Sequence, residues 1–87
     1  MFDDGVQAIA DDLQRDANWA AKAKNLLRAE MVKRGLNYAA LAEKLKAIGV
    51  HDNERNLANK IARGSFTAAF FLQCLKAIDV QTLHLSD

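Results

Sequence analysis

The apolar positions of this chain fall into five runs, each with the three- and four-residue spacing of an amphipathic helix. Phe2, Val6, Ile9 and Leu13 form one stripe, with Asp3, Asp4, Asp11 and Asp12 off it. Asn18 is placed to cap a second helix from Trp19 to Arg34, whose broad face holds Trp19, Ala23, Leu26, Leu27 and Met31. Lys33 and Arg34 suit its negative C-terminus, and Gly35 supplies its stop. Asn37 caps a third helix, stapled by Leu36 against Leu41, with Leu41, Ala42, Leu45 and Ile48 toward the core and Gly49 at its end. Asp52 or Asn53 caps a fourth, apolar only at Leu57, Ala58 and Ile61 and ended by Gly64. Ser65 or Thr67 caps a fifth, carrying Phe70, Phe71, Cys74, Leu75 and Ile78. Thr82, Leu83 and Leu85 alternate loosely, as in a short strand or an extended tail.

The pattern predicts an all-α fold. It is a compact five-helix bundle with an acidic amphipathic arm at residues 1–18, a helical domain at 19–87 and a short extended C-terminal tail. Trp19, Phe66, Phe70 and Phe71 are expected in the core, because a bundle this small has few other large side chains with which to fill its interior.

Composition sharpens this reading. The 87 residues make one domain, and sixteen Ala with no Pro bias the backbone to helix. No apolar run reaches the ~20 residues of a membrane span. Asp3 and Asp4 stand where an export signal carries Lys or Arg, and a lone Cys forms no internal disulfide. The expected setting is cytoplasmic. The net charge of +1 divides unevenly: residues 1–16 sum to −4 and residues 17–80 to +6. A basic body attracts phosphates according to its local potential rather than its total charge.

The fourth run is the unusual one. Residues 53–63 hold Asn53, Asn56 and Asn59. An Asn inside a helix costs about 0.6 kcal/mol relative to Ala. With Arg55, Lys60 and Arg63, Asn56 and Asn59 cover the side opposite Leu57 and Ile61. Asn pairs in bidentate fashion with adenine and Arg with guanine in the major groove. Arg55, Asn56, Asn59 and Lys60 are therefore the candidate base-reading set. The competing reading of the same residues is an ordinary solvated face.

Residues 27–80 resemble the lambda-repressor/Cro-type helix-turn-helix family, also called xenobiotic-response-element-like. The matching residues are Gly35-Leu36-Asn37, Leu41-Ala42-Glu43-Lys44-Leu45, Gly49-Val50, Ile61-Ala62-Arg63-Gly64 and Leu75-Lys76-Ala77-Ile78-Asp79-Val80. The run looks still more like short bacterial proteins of unassigned function that carry this helix pair. The resemblance implies a bundle that binds operator-like double-stranded DNA, commonly as a homodimer, and regulates transcription. It implies that the second helix of the pair is the recognition surface and that Asn37, Tyr38, Lys44 and Arg63 contact the phosphate backbone. The small residue at Ala42 would let the two helices cross closely. The chain departs from the family pattern at Lys46-Ala47-Ile48, which reads as an extra turn of helix before Gly49, and between Gly49 and Ile61, about three residues longer.

Other chemistry is weakly represented. His51, His84 and Cys74 are too scattered for a metal site, no glycine motif cradles a phosphate, and no nucleophile pairs with a base. No enzyme activity, cofactor or small-molecule substrate is expected. Phe2, Val6, Ile9 and Leu13 either fold back on their own subunit or pair with a second one as a dimerisation stripe. The rival to DNA binding is a helical protein-interaction or dimerisation module; RNA binding is a third reading, with few aromatics for base stacking.

Overall fold

Nothing between Phe2 and Lys33 stops a helix, and a single one, α1 (Phe2–Lys33), runs through the whole segment. This computed structural model describes residues 2–85, and within α1 it describes side chains at Arg15 and from Ala17 onward. At about 1.5 Å per residue, 32 residues reach ~48 Å. That accounts for most of the molecule's 54 Å long dimension. The break expected at Asn18 is absent. Its cap is a local signal, and with no Pro present the backbone ladder continues past it. The described residues therefore contain four helices rather than five, joined by α2 (Tyr38–Ala47), α3 (Glu54–Arg63) and α4 (Ala68–Ala77), with no strand.

Each short helix starts at a side chain suited to capping. Asn37 Oδ1 accepts from the Ala40 N–H at 2.8 Å, Asn53 Oδ1 from the Asn56 N–H at 2.8 Å, and Thr67 Oγ1 from the Phe70 N–H at 3.0 Å. The ends of α1, α2 and α4 share one motif. The Leu36 N–H donates to the Met31 carbonyl, the Val50 N–H to Leu45 and the Val80 N–H to Leu75, each at 2.9 Å. The left-handed residue of that motif is Gly35, Gly49 and, in α4, Asp79 at φ 62°. Ile48 caps α2 instead of extending it and is 42% exposed, so its expected place in the core is not taken.

Leu27, Leu41, Leu45, Leu57, Ile61 and Cys74 are fully buried, and Met31, Phe70, Leu75 and Ile78 complete the core. Phe66, Phe71, Ala42, Val50 and Leu83 pack partly buried against it. Trp19 does not join them: it is 64% exposed. The inward position on α1 is the next one, Ala20, which stands about 20° from Leu27 around the helix, whereas Trp19 stands about 80° away. The alternation after Val80 forms no strand; Leu83 is half-buried and Leu85 exposed.

α2 packs against both α3 and α4, and α1 against α4. Two cations, one on α1 and one in the turn after it, reach the carbonyl-rich ends of other helices. Lys24 Nζ donates to the Ala62 carbonyl of α3 at 3.4 Å, and Arg34 Nη2 donates to the Asp79 carbonyl after α4 at 3.5 Å. Positive charge at a helix C-terminus is favourable. Glu30, which accepts from both Arg34 and Lys33, orients Arg34; the Arg34 hydrogen bond holds the Glu30 carboxyl below its ordinary range.

Candidate nucleic-acid interface

α3 is the most strongly two-sided helix of the fold. Leu57 and Ile61, four residues apart, are fully buried; Arg55, Asn56, Asn59 and Arg63 dominate the exposed side, with Glu54 in the first turn and Ala62 near the end. Its N-terminus is fixed by a cluster around Asp52. One carboxylate oxygen accepts from the Asn53 N–H at 2.9 Å and the other from Lys60 Nζ at 2.8 Å. Together these donors, Lys60 foremost, hold the Asp52 carboxyl below its ordinary value. Lys60 Nζ also lies 4.9 Å from the centroid of the Phe70 ring.

This cluster sorts the expected base-reading residues. Arg55, Asn56 and Asn59 are exposed, as expected of a face presented outward. Lys60 is different: it is only partly exposed, and its ammonium is committed to Asp52 and Phe70. The outward stripe is Arg55, Asn59 and Arg63, at successive four-residue steps, with Asn56 at its margin. A shallow recess of about 310 Å³ lies on this side, lined by Asn56, Asn59, Lys60, Ala62 and Arg63. Sequence reasoning missed the Asp52–Lys60 pair because it spans eight positions and crosses the helix cap. Pairing by helical spacing looks only three or four positions away.

The expected backbone-contacting residues do not form one group. Asn37 and Tyr38 line a separate, mostly apolar depression with Arg28, Met31, Val32 and Leu36, where α1 meets the start of α2. Tyr38 is half-buried there, and the Asn37 side-chain oxygen is already used as a cap. Lys44 is exposed on α2, and Arg63 belongs with the α3 recess. His51 is exposed in the turn between α2 and α3. The side chains of Phe2, Val6, Ile9 and Leu13, the expected dimerisation stripe, lie outside the described residues.

No group of His, Cys, Asp and Glu able to hold a metal occurs among the described residues. Cys74 is fully buried, and burial pushes its thiol up to about 12. No helix among the described residues is long and apolar enough to cross a membrane.

The architecture is thus an all-helical domain with a close-packed helix pair, one member of which exposes an Asn- and Arg-rich side. Residues 19–83 match the family described as Domain of unknown function (DUF6471), and the chain belongs to that family. No curated protein and no solved structure matches the chain.

Proposed function

We propose that the chain binds double-stranded DNA in the manner of a lambda-repressor-like helix-turn-helix protein and regulates transcription, with α3 entering the major groove. The observation that carries this reading is the outward stripe of Arg55, Asn59 and Arg63 on a helix anchored from behind by fully buried Leu57 and Ile61. Side chains of these types match base edges and phosphates. Lys60 is reassigned in this reading: it braces α3 against Asp52 instead of reading a base. The α2–α3 connection spans six residues, 48–53, and two of its members, His51 and Asn53, are exposed beside the α3 N-terminus.

The test is a titration of labelled random-sequence duplex at low and at moderate salt, followed by selection of bound fragments from a random pool. DNA binding requires affinity that falls steeply with salt and a selected consensus. Absence of binding at low salt removes the proposal. A second reading, a protein-interaction module, is favoured by one observation: Trp19 and Leu72 are each 64% exposed. Such a module shows no salt-dependent duplex affinity.

A further inference from the structure

α1 is one continuous helix whose two halves carry opposite charge. Residues 1–16 sum to −4, from five Asp and Arg15. Residues 19–33 sum to +3, from Lys22, Lys24, Arg28, Lys33 and Glu30, and Arg34 follows in the turn after the helix. Acid at the start and base at the end of a helix suit its macrodipole, but that effect fades within the first and last turn. Asp11, Asp12, Lys22 and Arg28 lie well inside those limits. The division therefore calls for a partner along the helix length.

A second copy of α1 supplies one in only one direction. Laid parallel, two such helices place like charge on like charge along their whole length. Laid antiparallel, with the two-fold axis at Ala17–Asn18, each acidic half meets the other's basic half. Charge pattern sets orientation in this way in paired helices generally.

The described surface provides the apolar part of such a contact. Trp19 is 64% exposed beside this axis. It opens onto a groove of about 480 Å³ between α1 and α4, lined by Ala20, Ala23, Phe66, Ala68 and Phe71 among others. Lys22 holds its ammonium 5.9 Å from the centroid of the Trp19 ring. The first half of α1 brings both complements in its sequence, an apolar stripe and four Asp within Asp3–Asp12.

We infer that two copies of this chain associate through antiparallel α1 helices, the acidic first half of each occupying the Trp19–Phe66–Phe71 groove of the other. This arrangement stands whether or not α3 binds DNA.

The test uses the full chain in sedimentation experiments at tens of micromolar and low salt. The wild type sediments as a dimer. A variant with Asp4→Lys, Asp11→Lys and Asp12→Lys is monomeric, and so is one with Lys22→Glu and Lys33→Glu. An equimolar mixture of the two restores a dimer containing one of each. The restoration also shows that both variants fold. Trp19 emission moves to shorter wavelength as the wild-type dimer forms. A wild type that stays monomeric at a hundred micromolar overturns the proposal. So do charge-reversed variants that dimerise as tightly as the wild type, and so does Trp19 emission indifferent to dissociation.

Discussion

Gly64 sits against Ala20: a side-chain carbon at Gly64 would stand 3.2 Å from the Ala20 carbonyl oxygen. This contact sets the distance at which the end of α3 meets α1, and Lys24 reinforces it by donating to the neighbouring Ala62 carbonyl. Gly64 also has φ 71°, in the left-handed region.

Gly64→Ala therefore carries two penalties, backbone strain and a close approach to a carbonyl that belongs to a helix. The expected loss is about 1–3 kcal/mol of stability. Urea unfolding followed by circular dichroism measures it. A variant as stable as the wild type shows that α1 and the end of α3 separate without cost.

Asp79 offers the opposite case. It is the one non-Gly residue with positive φ among the described residues, and it occupies a position that Gly takes at the ends of α1 and α2. Asp79→Gly relieves strain at the end of α4, at the cost of the Gln81 amide's hydrogen bond to the Asp79 carboxylate. The net expectation is a gain of up to about 1 kcal/mol, read as a higher denaturation midpoint at unchanged slope. A lower midpoint would mean that the Gln81 contact outweighs the strain.

The Asp52 carboxyl is lowered in the fold, chiefly by Lys60. A lowered acid contributes stability that is complete above its unfolded value, 3.8, and is lost as pH falls through the lower folded value. Glu30, held down by Arg34, acts in the same direction from an unfolded value of 4.5. Unfolding free energy should thus decline on acidification below about pH 4.5, and Asp52→Asn should flatten the lower part of that decline. An Asp52→Asn profile parallel to the wild type rules out this source of acid sensitivity.

On DNA, Asn59→Ala should cost about 1–3 kcal/mol on the preferred sequence and relax base choice. Arg63→Ala should weaken all sequences alike and reduce the salt slope by about one. Lys60→Ala should act through stability, since its ammonium is held by Asp52. Fluorescence anisotropy on specific and scrambled duplexes, beside a melt of each variant, separates the three. Equal effects of Asn59 and Arg63 on both duplexes contradict the division of roles along α3.

What was legible in the sequence was local. The cap at Asn37, the stops at Gly35, Gly49 and Gly64, and the buried pair Leu57–Ile61 depend on neighbours within a turn, so spacing alone locates them; the caps Asn53 and Thr67 were legible only as one of two candidates each, beside Asp52 and Ser65. Asn18 shows the limit of the same rule. Its capping potential is as good as that of Asn37, but the residues before it can also be helical, and nothing in the chain ends the ladder there. Trp19 fails for a related reason: hydrophobicity indicates burial, while only the phase of the helix relative to Leu27 says that Ala20 takes the inward position. The α3 face was legible as a polar side. Its division into outward Arg55, Asn59 and Arg63 and inward-held Lys60 was not, because the carboxylate that decides it lies outside the helix.

The two fastenings of α3 bear on how it meets whatever it recognises. Asp52 and Lys60 tie its first turn, and Gly64 with Lys24 ties its last. Its main chain has little disorder left to surrender on association. On the proposed reading of α3 as the recognition helix, the entropy lost at encounter falls on the rotamers of Arg55, Asn59 and Arg63, about 0.5–1.5 kcal/mol for each long side chain immobilised. Discrimination between partners is then carried by how well three side-chain tips are satisfied, and not by a helix that must first take shape.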